Sequence, residues 1–283
     1  MTTADTSFDV EEFVRRVLAE DLGASGDVTS NATIAADAHF TASINCREAI
    51  VVSGLDVAAA FFRALDSKVK IEQFVKDGDP AAAGTVLMRL DGNARAMLAA
   101  ERSALNTLQH LSGIATLTRR YVDAILGTGA TLLDTRKTIP GLRALDKYAA
   151  RMGGAHNHRM RLDDGVLIKD NHVAVCGGVA QAVRAAKAAN VGLPVQVEVD
   201  RLDQIEPALD AGADRLLLDN MDVATLRQAV TLVAGRVPLE ASGGVTLDTV
   251  RSIAETGVDF ISVGRITQSA PAVDIGLDYS VGP

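Results

Sequence analysis

In the second half of the chain, short apolar runs alternate with longer stretches whose apolar positions recur every three or four residues. The short runs are T-L-L-D-T (131–135), V-L-I-K (166–169), V-Q-V-E-V (195–199), R-L-L-L-D (215–219), P-L-E-A-S (238–242) and F-I-S-V-G (260–264). Their length and their Leu, Val and Ile content predict buried strands. The stretches between them, at 142–152, 177–190, 201–212, 222–234 and 247–256, predict helices. In 142–152, Leu145, Tyr148, Ala149 and Met152 keep helical spacing, and Gly153-Gly154 follow as a stop signal. Strands alternating with helices at this interval imply parallel βα units. Six near-regular units predict an incomplete parallel α/β barrel in preference to an open doubly wound sheet.

The first 112 residues follow a different pattern. An amphipathic helix is predicted at 10–21, strands at 39–45 and 68–75, and a helix near 56–65. The segment G-D-P-A-A-A-G-T-V-L-M-R-L-D-G (78–92) is similar to the turn-and-strand pattern of lipoyl- or biotinyl-type domains. It lacks their modified lysine, so no carrier role is expected. A long helix is predicted from about 94 to 111, ended by Ser112-Gly113. The division is drawn there: an N-terminal domain over 1–112 and a barrel domain over 113–283, whose tail after about 270 is expected to pack back on the first.

The barrel reading has a chemical consequence. In parallel barrels the active site lies at the C-terminal ends of the strands. Here those ends carry Asp134 and Arg136, Lys169, Glu198, Asp219, Ser242 and Gly264. Residues two apart in a strand share a face, which groups Asp134 with Arg136, Gln196 with Glu198 and Asp200, and Glu240 with Ser242. One such residue is an ordinary loop start; six strands ending this way predict polar groups converging on one mouth.

Charge sharpens the location. The chain has 28 Lys and Arg against 36 Asp and Glu, a formal net charge of −8. Yet residues 134–172 collect Arg136, Lys137, Arg159, Arg161, Lys169 and three of the five histidines. A cationic cluster in an acidic protein points to a small, multiply charged anion. A nucleic-acid surface would spread basic residues over a whole face. There is no Trp, and aromatic residues are 4% of the chain, which argues against base-stacking platforms. Cys46 and Cys176 stand alone and are expected to be small buried hydrophobes in a reducing compartment. The acidic N-terminus lacks the apolar region of a signal peptide, and no apolar run is long enough to span a bilayer. A cytoplasmic address and no membrane partner are therefore expected.

Several blocks together resemble the quinolinate phosphoribosyltransferase family, the carboxylating nicotinate-nucleotide pyrophosphorylases. They are E-R-S-A-L-N-x-L-Q-H-L-S-G-I-A-T (101–116), D-T-R-K-T-I-P-G-L-R-A-L-D-K-Y-A (134–149) and G-G-A-H-N-H-R (153–159). L-I-K-D-N-H (167–172), V-E-V-D (197–200), L-L-D-N (217–220), E-A-S-G-G (240–244) and D-I-G-L-D (274–278) follow in the same order. The match runs from about residue 18 to 278. The resemblance implies an N-terminal α/β hammerhead-like domain before an incomplete α/β barrel. It implies transfer of a phosphoribosyl group from phosphoribosyl pyrophosphate to quinolinate with Mg²⁺, giving nicotinate mononucleotide, pyrophosphate and CO₂ in NAD biosynthesis. It also implies a homodimer or larger homo-oligomer, with the N-terminal domain of one subunit over the barrel mouth of another.

Under that resemblance, Arg136, His158, Arg159 and Lys169 bind the two adjacent carboxylates of quinolinate, and Arg102 reaches in from the neighbouring subunit. Guanidinium suits bidentate carboxylate recognition. Lys137, Ser242, Gly243, Gly244, Gly264 and Arg265 take the phosphates of phosphoribosyl pyrophosphate. Glycine lets backbone N–H groups come close to phosphate. Glu198 and Asp219 serve Mg²⁺ and the ribose hydroxyls, and with Lys169 they form the catalytic set. The chain departs from the family in G-R-I-T-Q-S (264–269), where Arg265 and Gln268 replace a small or aliphatic residue and a His or Asn.

Other readings compete, among them a non-enzymatic binding module, which does not account for carboxylates and cations converging on one barrel mouth. His156, His158 and His172 could form a metal site, but arginine and lysine around a divalent cation would repel it; His156 and His172 are expected to shape the site from behind. Lys169 could be the Schiff-base lysine of a phosphosugar aldolase or isomerase barrel. A paralogous phosphoribosyltransferase would take another acceptor. No G-x-S-x-G is present, and G-T-G-A-T-L (127–132) precedes a strand instead of following one, so it is no dinucleotide fingerprint.

Overall fold

The structure, a computed structural model, describes residues 8–280. In chain order, helices α1 (Val10–Leu22) and α2 (Val28–Thr33) precede β1 (His39–Cys46), β2 (Ile50–Val51) and α3 (Leu55–Leu65). Strands β3 (Lys70–Gln73), β4 (Pro80–Ala81) and β5 (Val86–Asn93) lead into the long α4 (Ala94–Ala124). Then come β6 (Thr131–Leu133), α5 (Arg143–Gly153), β7 (Val166–Ile168), α6 (Asp170–Cys176) and α7 (Val179–Ala188). β8 (Val195–Val199), α8 (Ile205–Asp210), β9 (Arg215–Asp219), α9 (Val223–Val233) and β10 (Leu239–Ser242) continue the alternation. α10 (Leu247–Ala254), β11 (Phe260–Ser262), α11 (Arg265–Gln268) and β12 (Ile275–Ser280) complete it.

The chain forms two compact units. The first takes in the residues up to Leu117 with 144–153 and the chain from Ser269 onward. Its main sheet is antiparallel, in the order β12-β1-β5-β3, with β2 and β4 as a separate short ladder. α3 buries Leu55, Phe61 and Phe62 on its apolar face, and Asp77 caps its start by accepting from the backbone N–H groups of Gly54 and Leu55. Tyr148 donates to the same carboxylate at 2.7 Å. Burial, then this bond to Asp77, pushes the Tyr148 phenol well above its ordinary range.

One boundary differs from the sequence reading. Ser112-Gly113 does not end a helix; α4 runs on to Ala124. Both residues are small because the helix is closely packed there. Ser112 Oγ accepts from Ser53 N at 3.0 Å, and a Cβ on Gly113 would lie 2.2 Å from the carbonyl oxygen of Pro271. Cys46 is buried, as expected, but Cys176 is exposed at the end of α6.

The second unit comprises 118–143 and 154–268. Its six strands are all parallel, in the order β6-β11-β10-β9-β8-β7. Leu216, Leu217 and Leu218 are buried on both faces of β9, and Val195, Val197 and Val199 on one face of β8. The order never returns from β7 to β6. Instead His156 bridges to Leu133 on the outer side of β6, and the barrel stays open. The expected helix at 177–190 is shorter, α7, and a further helix, α6, precedes it. Among the described residues no helix is long and apolar enough to cross a membrane.

Candidate active site

The site is built on strand ends of the second unit. β6 stops at Leu133, and the chain turns at Asp134. The sequence reading counts Asp134 among the polar groups of the mouth. The structure places it in the interior, fully buried, where it holds the H-N-H-R segment. Its Oδ1 accepts from the backbone N–H of His158 at 2.8 Å, and its Oδ2 accepts from the Asn157 amide. With the backbone bond from His156 N to Leu132 O at 2.9 Å, this fixes His158 and Arg159 beside the end of β6. Arg143 joins the neighbouring loops, donating to Thr138 Oγ1 and to the Met160 carbonyl, each at 3.3 Å.

Arg136 and Arg159 are half-buried neighbours. Arg159 donates to the Gly165 carbonyl at 2.9 Å, yet among the described residues neither guanidinium forms an ion pair. Burial, then the charge of Arg136, pulls the Arg159 guanidinium below its ordinary range, against the pull of Asp164. Two like charges held together in partial burial favour any anion that settles between them.

A second cluster lies on β7, β8 and β9. Lys169 Nζ pairs with Glu198 Oε2 at 2.8 Å. Asp219, at the end of β9, feels burial first and the Glu198 charge second, which together hold its carboxyl above the usual range; Asn220, Lys169 and Lys137 pull the other way. Two carboxylates and two ammonium groups thus share one electrostatic neighbourhood. Lys137 is placed by its loop: its N–H donates to Thr135 Oγ1 at 3.0 Å, and its carbonyl accepts from Thr267 Oγ1 at 2.8 Å. Its side chain crosses Gly264, where a Cβ would meet Lys137 Cδ at 2.8 Å.

Gly243 and Gly244 follow β10 with φ of +91° and +59°. A Cβ at Gly243 would lie 2.2 Å from Asn220 Oδ1, so glycine is needed on both counts. Ser242 Oγ lies 2.9 Å from Ser262 Oγ. Arg265 and Gln268 are exposed at the two ends of α11, and the Arg265 charge reaches the buried Tyr121. Arg102 is exposed on α4, in the first unit. The histidines go separate ways. His156 is exposed, His158 faces Glu240, and His172 Nδ1 accepts the Lys169 backbone N–H at 2.9 Å at the start of α6. Among the described residues no three His, Cys, Asp or Glu side chains are grouped as a metal site.

The sequence reading assigns no binding or catalytic role to two residues of the neighbourhood, although it sets Glu240 on the same strand face as Ser242. Asn220 has φ of +54° and donates to Asp219 Oδ2 at 2.6 Å. Its signal is an Asn directly after a strand, the residue that best tolerates left-handed backbone after glycine. Glu240 is an acid inside the otherwise apolar buried run of β10.

The chain is similar to known proteins over nearly its whole length. The sequence profiles of the quinolinate phosphoribosyl transferase N-terminal and C-terminal domains match residues 27–112 and 114–278. The nicotinate-nucleotide pyrophosphorylase (carboxylating) of Mycobacterium leprae is 44% identical, covering 97% of this chain and 99% of its own. The chloroplastic enzyme of that name from Arabidopsis thaliana is 41% identical over 96% of this chain and 83% of its own. The crystal structure of nicotinate-nucleotide pyrophosphorylase from Ehrlichia chaffeensis superimposes with a TM-score of 0.93 at 41% identity, covering 97% of this chain and all of that one (100%). With both domains matched and relatives this similar end to end, the chain belongs to the quinolinate phosphoribosyltransferase family.

Proposed function

We propose that this chain is a decarboxylating quinolinate phosphoribosyltransferase, which joins quinolinate to phosphoribosyl pyrophosphate and releases pyrophosphate and CO₂ in NAD biosynthesis. The observation that carries this reading is the pairing of two unlike clusters on one set of strand ends. Arg136 and Arg159 form a dicationic pair suited to adjacent carboxylates, while Lys137, Lys169, Glu198 and Asp219 form a mixed-charge group suited to a phosphorylated sugar.

In this reading Arg136, His158, Arg159 and Lys169 surround quinolinate, with Arg102 supplied by a neighbouring subunit. Ser242, Gly243, Gly244, Gly264 and Arg265 hold phosphate through backbone N–H groups and charge. Glu198 and Asp219 fit Mg²⁺, which takes one or two carboxylates and completes its shell with phosphate oxygens. Burial, and after it the Glu198 charge, raises the Asp219 carboxyl, and a cation held there would offset both. Glu198 and Asp219 would hold Mg²⁺, which would supply positive charge to the pyrophosphate.

The ribose C1–oxygen bond breaks with its electron pair leaving on pyrophosphate, and the Lys137 ammonium stabilises that charge. The pyridine nitrogen, aimed by the two guanidiniums, donates its lone pair to C1 through an oxocarbenium-like transition state. The ring nitrogen is then cationic. Its charge stabilises the electron pair left on the neighbouring ring carbon when the adjacent carboxylate leaves as CO₂, and that carbon then takes up a proton. Lys169 is the ammonium placed at both substrates. Its ion pair with Glu198 suits an ammonium better than the free amine that an imine-forming lysine needs, so the aldolase reading gains nothing from the geometry. A cytoplasmic setting and a homodimer or larger assembly belong to the same proposal.

The test is to supply the chain with quinolinate, phosphoribosyl pyrophosphate and Mg²⁺ and to follow CO₂ and pyrophosphate, with nicotinate as the control acceptor. Stoichiometric release of both products with quinolinate alone is expected. Pyrophosphate release with nicotinate and none with quinolinate would assign the chain to a different acceptor.

A further inference from the structure

Glu240 takes no part in the chemistry above, yet it lies directly beneath it. It sits on β10 two residues before Ser242, on the same strand face, and is fully buried. Its Oε2 accepts from Gln196 Nε2 at 2.8 Å, stands 3.4 Å from His158 Nε2 and 3.7 Å from Arg215 Nη1. Arg215 lies against the Phe260 ring, 3.7 Å from its centroid.

The other ring nitrogen of His158 is already committed. Nδ1 accepts the backbone N–H of Arg159 at 2.7 Å, so it carries no proton. The ring proton therefore belongs on Nε2, which is buried and has no closer hydrogen-bond partner than the Glu240 carboxylate. A separation of 3.4 Å is long for a hydrogen bond, and such contacts in catalytic sites tighten once substrate binds.

We propose that Glu240 is a positioning residue that holds His158 in its Nε2–H form and fixes the ring's orientation in the quinolinate pocket. Burial raises the Glu240 carboxyl, but its contacts with His158, Gln196 and Ser262 more than offset this and leave it below the usual range. A carboxylate there would repel a dianionic substrate if bare; Arg215 and the His158 N–H offset its charge. With its proton turned toward Glu240, His158 contributes shape and rigidity to the pocket, and the attractive charge falls to Arg136, Arg159 and Lys169. The same carboxylate contacts Ser262, whose Oγ is 2.9 Å from Ser242 Oγ, so the support extends toward the phosphate end.

The proposal rests on the placement of His158 in the quinolinate pocket, and its test separates the two ideas. The full-length chain is labelled with ¹⁵N-histidine, and His158 is assigned among the five histidines by the signal missing from His158→Asn. The parent chain should show His158 as the Nε2–H tautomer without any substrate present, and Glu240→Gln should lose that single tautomer. In steady-state assays, Glu240→Gln should raise KM for quinolinate by about tenfold while kcat changes less, as expected when a supporting residue of a binding side chain is altered. The Glu240→Gln/His158→Asn pair should be no worse than His158→Asn alone. An Nδ1–H tautomer in the parent overturns the proposal even if Glu240→Gln fails to fold. Additive losses in the double variant, or an unchanged tautomer and quinolinate KM in Glu240→Gln, overturn it as well. A chain that does not consume quinolinate but shows the Glu240-dependent tautomer would defeat the functional reading and leave the positioning contact standing.

Discussion

In the proposed reading, the Asp219 side chain serves the reaction at a cost to the fold. Its carboxyl binds a proton more tightly in the folded chain than in the unfolded one, first because it is buried and then because Glu198 is near. Its ionisation therefore lowers stability once the pH rises through the folded value, and costs nothing below the unfolded value near 4. Asp219→Asn is expected to lose about 100-fold or more in turnover and yet to melt above the parent at pH 7. The gain should vanish as the buffer is taken down toward about pH 4. A variant that melts lower than the parent at pH 7 would show that the carboxylate is stabilised by its neighbours after all. Asn220 and Gly243 express the same economy in backbone form. One adopts a left-handed conformation, and the other must lack a Cβ for the first to fit. Neither requirement can be read from composition or spacing.

At the scale of elements, the sequence was most legible where burial leaves few choices. The runs at 195–199 and 215–219 are strands with those same bounds: β9 is an unbroken apolar stretch between polar ends, and β8 alternates valines with Gln196 and Glu198. The N-terminal helix and the strands near 39–45 and 68–75 also emerged within a few residues of their predicted ends. α4 outruns its predicted end because Ser-Gly is a stop signal only when the backbone is free to leave the helix. Here the serine bonds to Ser53 and the glycine admits the Pro271 carbonyl. Gly113→Ala should therefore destabilise the chain by about 1–3 kcal/mol in denaturant unfolding, in spite of alanine's better helix propensity. Gly129→Ala, at a site with open space around it, is the control and should stay within about 0.5 kcal/mol of the parent. Equal effects at the two positions would remove close packing as the reason for Gly113. In the site, strand ends and cations stood out in the sequence, while Asp134 and Glu240 did not reveal their placement. A carboxylate that binds backbone N–H groups from within looks, in sequence, like one that faces the substrate.

At the scale of the whole molecule, the proposed sharing of Arg102 between subunits has a numerical signature. Arg102→Ala and Lys169→Ala should each be nearly inactive alone. When the two are unfolded and refolded together in equal amounts, half the dimers are mixed and each has one intact site, so about a quarter of parental activity should return. No recovery on mixing would place Arg102 in the site of its own chain, or outside any site. The open barrel bears on assembly in another way. A closed barrel has no free sheet edge, whereas one that stops at β7 offers backbone groups on which a foreign strand could grow. That edge is three residues long, and charged, exposed Arg161, Asp163 and Asp164 precede it while Lys169 and Asp170 follow. A strand this short between charges is a poor template for amyloid-like stacking. The chain can thus leave its barrel open along that edge without inviting copies of itself to join edge to edge.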